Sequence, residues 1–481
     1  MKFSFKFANI IFVLGIILFT LITIYGIYKI YHPAGHDVIL TFYYISALCS
    51  GIAATLFIFG LIKLNNELKV NFSLMFVVIV MTVYSFETYL EFSRKQTLSQ
   101  SPKEIAEQIG VPYDTRTKIE VLKDLNDSGI ESYPNFHPGF LLNNPSTQNG
   151  LKIRNEKIYP LSGISNKVMV QSNENGYWMK YRGDKFGFHN PKDVYQNNNI
   201  DIVMIGDSFT EGWSVKSNEN ISSLLREQGL NVVNLGKGGN GPLLELATLK
   251  EYAEPLKPRL TLWLYTSSDL VDLKDELKSL ILIKYLNEDN FSQKLTSKQD
   301  EIDSLLKNFS EEEWKRKIKR DIVDELIETK RKKEIEKRRR KIENNWAVRI
   351  SKIYNLRLKT NLTPKPTPVK ELLVFKKILE KSKKTISQWG GELYFVYLPS
   401  YNHYSMGKKI TFSKDVLHIV NELDIPFIDI HTKVFVPHRD LLSLFPFRGN
   451  GHYNADGYRL VAEAINKRLK DDGITSSQTN N

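Results

Sequence analysis

Apolar residues divide this chain into two regimes. Up to about residue 92 they form three long runs nearly free of charge: Phe7–Tyr28, Ile39–Ile62 and Phe72–Leu90. Each is close to the ~20 residues that a helix needs to cross a bilayer. The first run is longer than a signal-peptide apolar region and has no small-x-small cleavage site, so it reads as a retained span. Tyr25, Tyr28, Tyr43, Tyr44, Tyr89 and Phe92 cluster at the ends of the runs, where amphipathic rings suit the membrane–water interface. Glu87, near the end of the third run, is expected to reach that interface. Residues 1–95 are therefore predicted to be a multi-pass membrane anchor of three transmembrane helices. Lys2, Lys6, Lys63 and Lys69 outweigh the single Lys29 of the other loop. That bias favours a cytoplasmic N-terminus and a periplasmic or extracellular C-terminal part.

Beyond the third run the pattern shortens. Residues 96–197 are polar, with β-like pieces "KVMVQ", "GYWMKY" and "KFGFHN" between turn residues, and are expected to form a β-rich lead-in. From 198 to the end, apolar strands alternate with helix-like stretches: "DIVMI" (201–205), "NVVNL" (231–235), "LTLWLY" (260–265), "LYFVYL" (393–398) and "PFIDI" (426–430). Alternation of this kind predicts an α/β fold, a three-layer α/β/α sandwich around a parallel sheet. A charged insert at about 275–365 interrupts it, with Trp314, Ile318, Ile322 and Leu326 at helical spacing. The run "KRKKEIEKRRRK" (330–341) reads as a solvated helix face or a contact with anionic lipid or acidic polysaccharide. "TPKPTP" (363–368) is a stiff exit linker.

Composition changes this picture little. The net charge of +12 points to anionic surroundings without identifying them, and the single cysteine, Cys49, rules out a disulfide framework or thiolate zinc site. No metal motif or cofactor motif stands out except "GKGGNG" (236–241), which fits the dinucleotide pattern G-x-G-x-x-G. That fingerprint normally follows the first strand of its domain, and here the first strand ends in "GDSFTEG" (206–212). No cofactor, metal or nucleic acid is expected.

Ligands of open α/β sheets sit beyond the carboxyl ends of the strands. The first strand runs into Gly206-Asp207-Ser208, the second into "GKGGNG", the third into "TSSD" (266–269) and the fourth into "PSYNHY" (399–404), while "GNGHYNADGY" (449–458) leads into the last helix. Ser208 can be a plain helix cap or a nucleophile. A nucleophilic serine needs a base, for which His452 is the candidate, and amides aimed at the oxyanion, for which Ser208 and the glycine turn are candidates.

Four of these blocks, "GDSFTEG", "NLGKGGNG", "LYTSSDL" and "GHYNADGY", in this order over about 198–470, resemble the SGNH or GDSL-like hydrolase superfamily. The resemblance implies Ser208 as nucleophile, His452 as base and Gly239 as an oxyanion-hole amide. The lead-in "ENGYWMKYRGDKFGF" also resembles membrane-tethered members linked to cell-surface polysaccharides. Two positions depart from the family pattern. Ser268 stands where an asparagine usually donates to the oxyanion, and Asn450 and Gly449 stand where an acid usually precedes the histidine. Orientation of His452 is then left to Asn450, a backbone carbonyl or a distant acid such as Asp440. The resemblance implies a membrane-anchored serine esterase or deacetylase acting on an acylated small molecule or polysaccharide. An O-acyltransferase shares its first half-reaction, and a catalytically weak polysaccharide-binding scaffold is the rival from another class.

Overall fold

In the computed structural model the described residues are 2–31, 37–98, 102–196, 199–313, 346, 349–351, 353–359, 369–405, 412–449 and 451–474. The Trp314–Leu326 stripe, the 330–341 run, the 363–368 linker and Asn450 lie outside them. The chain divides into two compact units, one of residues 1–99 with 327–367, the other of 100–326 with 368–481.

The first unit carries helices α1 (Lys2–Tyr31), α2 (Asp37–Lys63) and α3 (Asn66–Leu98). All three are long and apolar enough to cross a membrane, over Ser4–Tyr31, Tyr43–Lys63 and Asn66–Ser93. Glu87 is buried rather than turned outward. Its carboxylate accepts from the Asn355 amide (2.7 Å), the Asn355 side chain (2.9 Å) and the Leu356 amide (2.7 Å). Glu91 accepts from Arg349 and from Asn355 Nδ2. A segment far along the chain thus satisfies two carboxylates that would be costly to leave unpaired.

The second unit is built on five parallel strands: β1 (Ile202–Gly206), β2 (Val232–Asn234), β3 (Leu260–Tyr265), β4 (Glu392–Tyr397) and β5 (Phe427–Asp429). Their spatial order is β5-β4-β3-β1-β2. Successive side chains of a strand point to opposite faces. Val203, Ile205, Trp263, Tyr265 and Phe395 accordingly enter one core, while Ile202, Met204, Leu262, Leu264 and Val396 enter the other. Both faces are covered, which is why these strands are continuous apolar runs rather than alternating ones. Chain direction across the sheet reverses at β1, leaving a crevice at the carboxyl ends of β1 and β3.

The lead-in does not stand apart. Phe136, Tyr159 and Phe188 belong to the first of these cores. The lead-in has a three-stranded sheet (Ser132–Pro134, Val168–Val170, Lys180–Arg182) and a hairpin (Leu151–Ile153 with Glu156–Ile158). "KFGFHN" makes no strand, because the buried Asp184 carboxylate draws the Phe186 and Phe188 amides into a turn. The start of the charged insert is also core: Leu282, Tyr285, Leu295, Ile302 and Leu306 are buried against the same cluster.

Candidate active site

β1 ends at Gly206, where a Cβ would lie 2.2 Å from Thr210 Oγ1 and 2.6 Å from the Leu264 carbonyl. Only glycine allows the chain to turn this tightly between β3 and the following helix α4 (Ser208–Glu211). The cap of α4 is Asp207, whose Oδ1 accepts from the Phe209 amide at 2.9 Å. Ser208 is therefore not needed as a cap, and its Oγ lies 2.7 Å from His452 Nε2.

The other ring nitrogen, His452 Nδ1, lies 3.0 Å and 3.1 Å from the two carboxylate oxygens of Glu174. Glu174 is itself fixed: Oε2 accepts from the His452 backbone amide at 2.9 Å, and Oε1 from Trp213 Nε1 at 3.1 Å. Burial pushes the Glu174 carboxyl up, but the charge of His452 and the hydrogen bonds it receives outweigh that and hold it below the ordinary range. An ionised Glu174 keeps the proton on Nδ1, leaving Nε2 free to accept from Ser208. Asp440 does not fill this role, since it pairs with Arg448 through both carboxylate oxygens.

The glycine loop after β2 is pinned at both ends by buried carboxylates. Glu211 Oε2 accepts from the Gly238 amide at 2.8 Å. Glu276, on helix α6 (Asp269–Glu276), accepts from the amides of Gly241 (2.7 Å) and Leu243 (2.8 Å), at the start of α5 (Pro242–Thr248). Gly239, at φ +70°, lies between the two anchors. Among the described residues, neither its amide nor that of Ser208 has a protein acceptor, the condition needed for donors to an incoming oxyanion. Behind the loop, Glu211 Oε1 accepts from Lys237 Nζ (3.0 Å), Asn135 (2.8 Å) and the Tyr181 hydroxyl (2.9 Å). Two lead-in residues thus help hold the turn that presents Gly239.

Ser268 occupies the N-cap position of α6 but makes no side-chain capping bond; its hydroxyl is 2.6 Å from Thr266 Oγ1. Thr266 Oγ1 also faces Asp207 (3.1 Å) and Asp269 (2.8 Å). Burial pushes Asp207 up to about 6 and Asp269 well above the carboxylate range, and repulsion from Asp207 adds to the shift of Asp269. The Ser268 hydroxyl is engaged in this network.

Ser208, His452, Glu174, Gly238 and Gly239 line one cavity of about 470 Å³. Its other walls come from Trp213, from His137, Phe140 and Leu142 of the lead-in, and from Asp272 and Asp275 of α6. Burial lowers His137 to about 4, so this ring is neutral at physiological pH. The arrangement can activate a hydroxyl nucleophile beside a pocket for a small molecule or one end of a polymer. Among the described residues, no group of three or more His, Cys, Asp or Glu is placed to hold a metal ion.

The sequence places Ser208, His452 and Gly239 on this pocket, and the fold brings them together. Sequence reasoning missed Glu174. The available clue was negative: with Asn450 and Gly449 before the histidine, the acid had to come from elsewhere, and Glu174 opens the lead-in stretch "ENGYWMKY".

No family model matches the chain, and no curated protein matches it. Chains of solved structures do match. One is a two-domain esterase (CEX) active on acetylated mannans, co-crystallised with mannopentaose. It is 11% identical, with a TM-score of 0.28, over 57% of this chain and 49% of that one. This chain thus spans about half the length of that esterase. Likeness at this level fixes no property of the present chain.

Proposed function

We propose that the chain is a membrane-anchored serine esterase of the SGNH hydrolase type, with an α/β/α catalytic unit acting on O-acyl esters. The observation that carries this reading is the relay from Glu174 through His452 to Ser208, at 3.0 Å and 2.7 Å. His452 Nε2 takes the proton from Ser208 Oγ as the oxygen attacks the acyl carbonyl carbon. The carbonyl π electrons move onto oxygen, and the amides of Ser208 and Gly239 receive the resulting oxyanion. On collapse the C–O bond to the alcohol breaks, and imidazolium Nε2–H protonates the departing alkoxide. Water, deprotonated by the same nitrogen, then attacks the acyl-serine, and the acid leaves with Ser208 restored. Glu174 stabilises the imidazolium in both halves.

In place of the side-chain donor usual after the third strand, this reading uses the Ser208 amide at the start of α4 and the Gly239 amide on a loop braced by Glu211 and Glu276. Transfer of the acyl group to a sugar hydroxyl would use the same first half-reaction. The test is hydrolysis of 4-nitrophenyl acetate by the detergent-solubilised full chain. Turnover is expected in the parent and lost in Ser208→Ala and in His452→Ala. Equal turnover by parent and Ser208→Ala would refute the proposal.

A further inference from the structure

The catalytic pocket is opposite in charge to the chain that carries it. The protein's net charge is +12, yet no lysine or arginine is among the described residues lining the pocket. Its ionisable lining, apart from the two histidines, is Glu174, Asp272 and Asp275. Glu174 is committed to His452. Asp275 has an exposed ion pair with Lys278, which screens it only slightly. Asp272, partly buried on the same α6 wall, has no hydrogen-bond donor or cation against it among the described residues; burial and repulsion from Asp207 and Asp275 raise it to about 7, so its negative charge is fully present only above that pH. Lys237 offers no relief, since it is fully buried behind the loop and paired with Glu211. The neighbouring lining is uncharged: the neutral His137, and Phe140, which is 53% exposed.

A ligand group in this pocket meets both carboxylates that accept hydrogen bonds and flat apolar rings. An anionic group there would face uncompensated like charge, which interfaces use to reject wrong partners. A hydroxyl-bearing ring satisfies the carboxylates with donors and offers C–H faces to the rings. We propose that the alcohol part of the ester is a hydroxyl-bearing group without negative charge, such as a neutral sugar unit, and that Asp272 and Asp275 exclude esters of acidic sugars. This rests on the esterase reading above. It sets the pocket against an acidic polysaccharide, whatever the basic insert binds.

The test uses the full chain in detergent at about pH 8, above the range in which Asp272 titrates, with two matched probes: O-acetylated glucose and O-acetylated glucuronic acid. The expected result is kcat/KM for the glucose ester ~10- to 100-fold above the glucuronate ester. Asp272→Asn/Asp275→Asn should narrow that ratio by about tenfold. Because the readout is a ratio within one preparation, partial loss of folded protein does not move it, and Asp272→Asn alone serves if the double variant does not fold. Two results would overturn the inference: a glucuronate ester turned over as well as the glucose ester, or a ratio unchanged by the substitutions. If the parent shows no Ser208-dependent turnover of 4-nitrophenyl acetate, the esterase reading itself has failed.

Discussion

Glu211→Gln is the substitution whose cost is tied most directly to the structure. Glu211 and Lys237 are both fully buried, with 3.0 Å between Nζ and Oε1. Burial alone would raise the Glu211 carboxyl, but the charges of Lys237 and His137 and its hydrogen bonds pull it down to about 2. Glu211 is therefore an anion at neutral pH, and the stability this adds is present above the ordinary glutamate range and lost as pH falls towards 2. Glutamine keeps the shape and removes the charge. Lys237 is then left buried with only neutral partners, Asn135 Oδ1 at 2.9 Å and the Tyr181 hydroxyl at 3.1 Å. Breaking one side of such a pair costs about 3–5 kcal/mol, a large share of the ~5–15 kcal/mol that stabilises a typical domain. The assay is urea unfolding of the detergent-solubilised chain, followed by tryptophan fluorescence. Glu211→Gln/Lys237→Met removes both charges and should lose less than Glu211→Gln alone. A loss below about 1 kcal/mol for Glu211→Gln, or a double variant as unstable as the sum of the two singles, would refute the reasoning.

The same geometry sets three further outcomes. Ser268→Ala should change kcat by less than about tenfold, because its hydroxyl is bound to Thr266; loss of a true oxyanion donor would cost ~100- to 1,000-fold. Asp440→Asn should leave the pH profile of ester hydrolysis unchanged, since its carboxylate serves Arg448. The contribution of Asp272 to thermal stability should fall as pH rises from about 4 to 7, against the opposite contribution of His137, which burial lowers to about 4. Burial and repulsion from Asp207 and Asp275 raise Asp272 to about 7, so charging it in the folded state is unfavourable throughout that window. Melting curves of Asp272→Asn should lack that downward contribution, and an unchanged slope would contradict that assignment.

The parts of the fold that sequence conveys are those written in local pattern. The five strands are short apolar runs, and each motif after a strand lands at the carboxyl edge because chain direction fixes where the next residues go. Ser208 and Gly239 are legible for that reason, and His452 because it precedes the last helix. Glu174 is not, because it lies 278 residues from His452 and no spacing rule links a lead-in loop to the end of the chain. Ser268 shows the converse limit. Its position matched a donor site, but a hydroxyl's direction is set by its nearest acceptors, here the Thr266–Asp207–Asp269 network. Residues 280–309 read as part of a charged insert from composition, yet Leu282, Tyr285, Ile302 and Leu306 form a buried stripe. The donors that Glu87 receives are likewise not legible, because Asn355, far away in sequence, supplies them.

The central claim is that Glu174, His452 and Ser208 work as one unit, and the most direct test is the rate at which a fluorophosphonate probe labels the full chain. The parent should label at a single site that disappears in Ser208→Ala. His452→Ala should abolish labelling, and Glu174→Gln should slow it by ~100- to 10,000-fold, as removing the orienting acid does in such triads, with the variant's unfolding curve close to the parent's. Labelling of folded Glu174→Gln at the parent rate would contradict the relay, and labelling that survives Ser208→Ala would contradict the nucleophile.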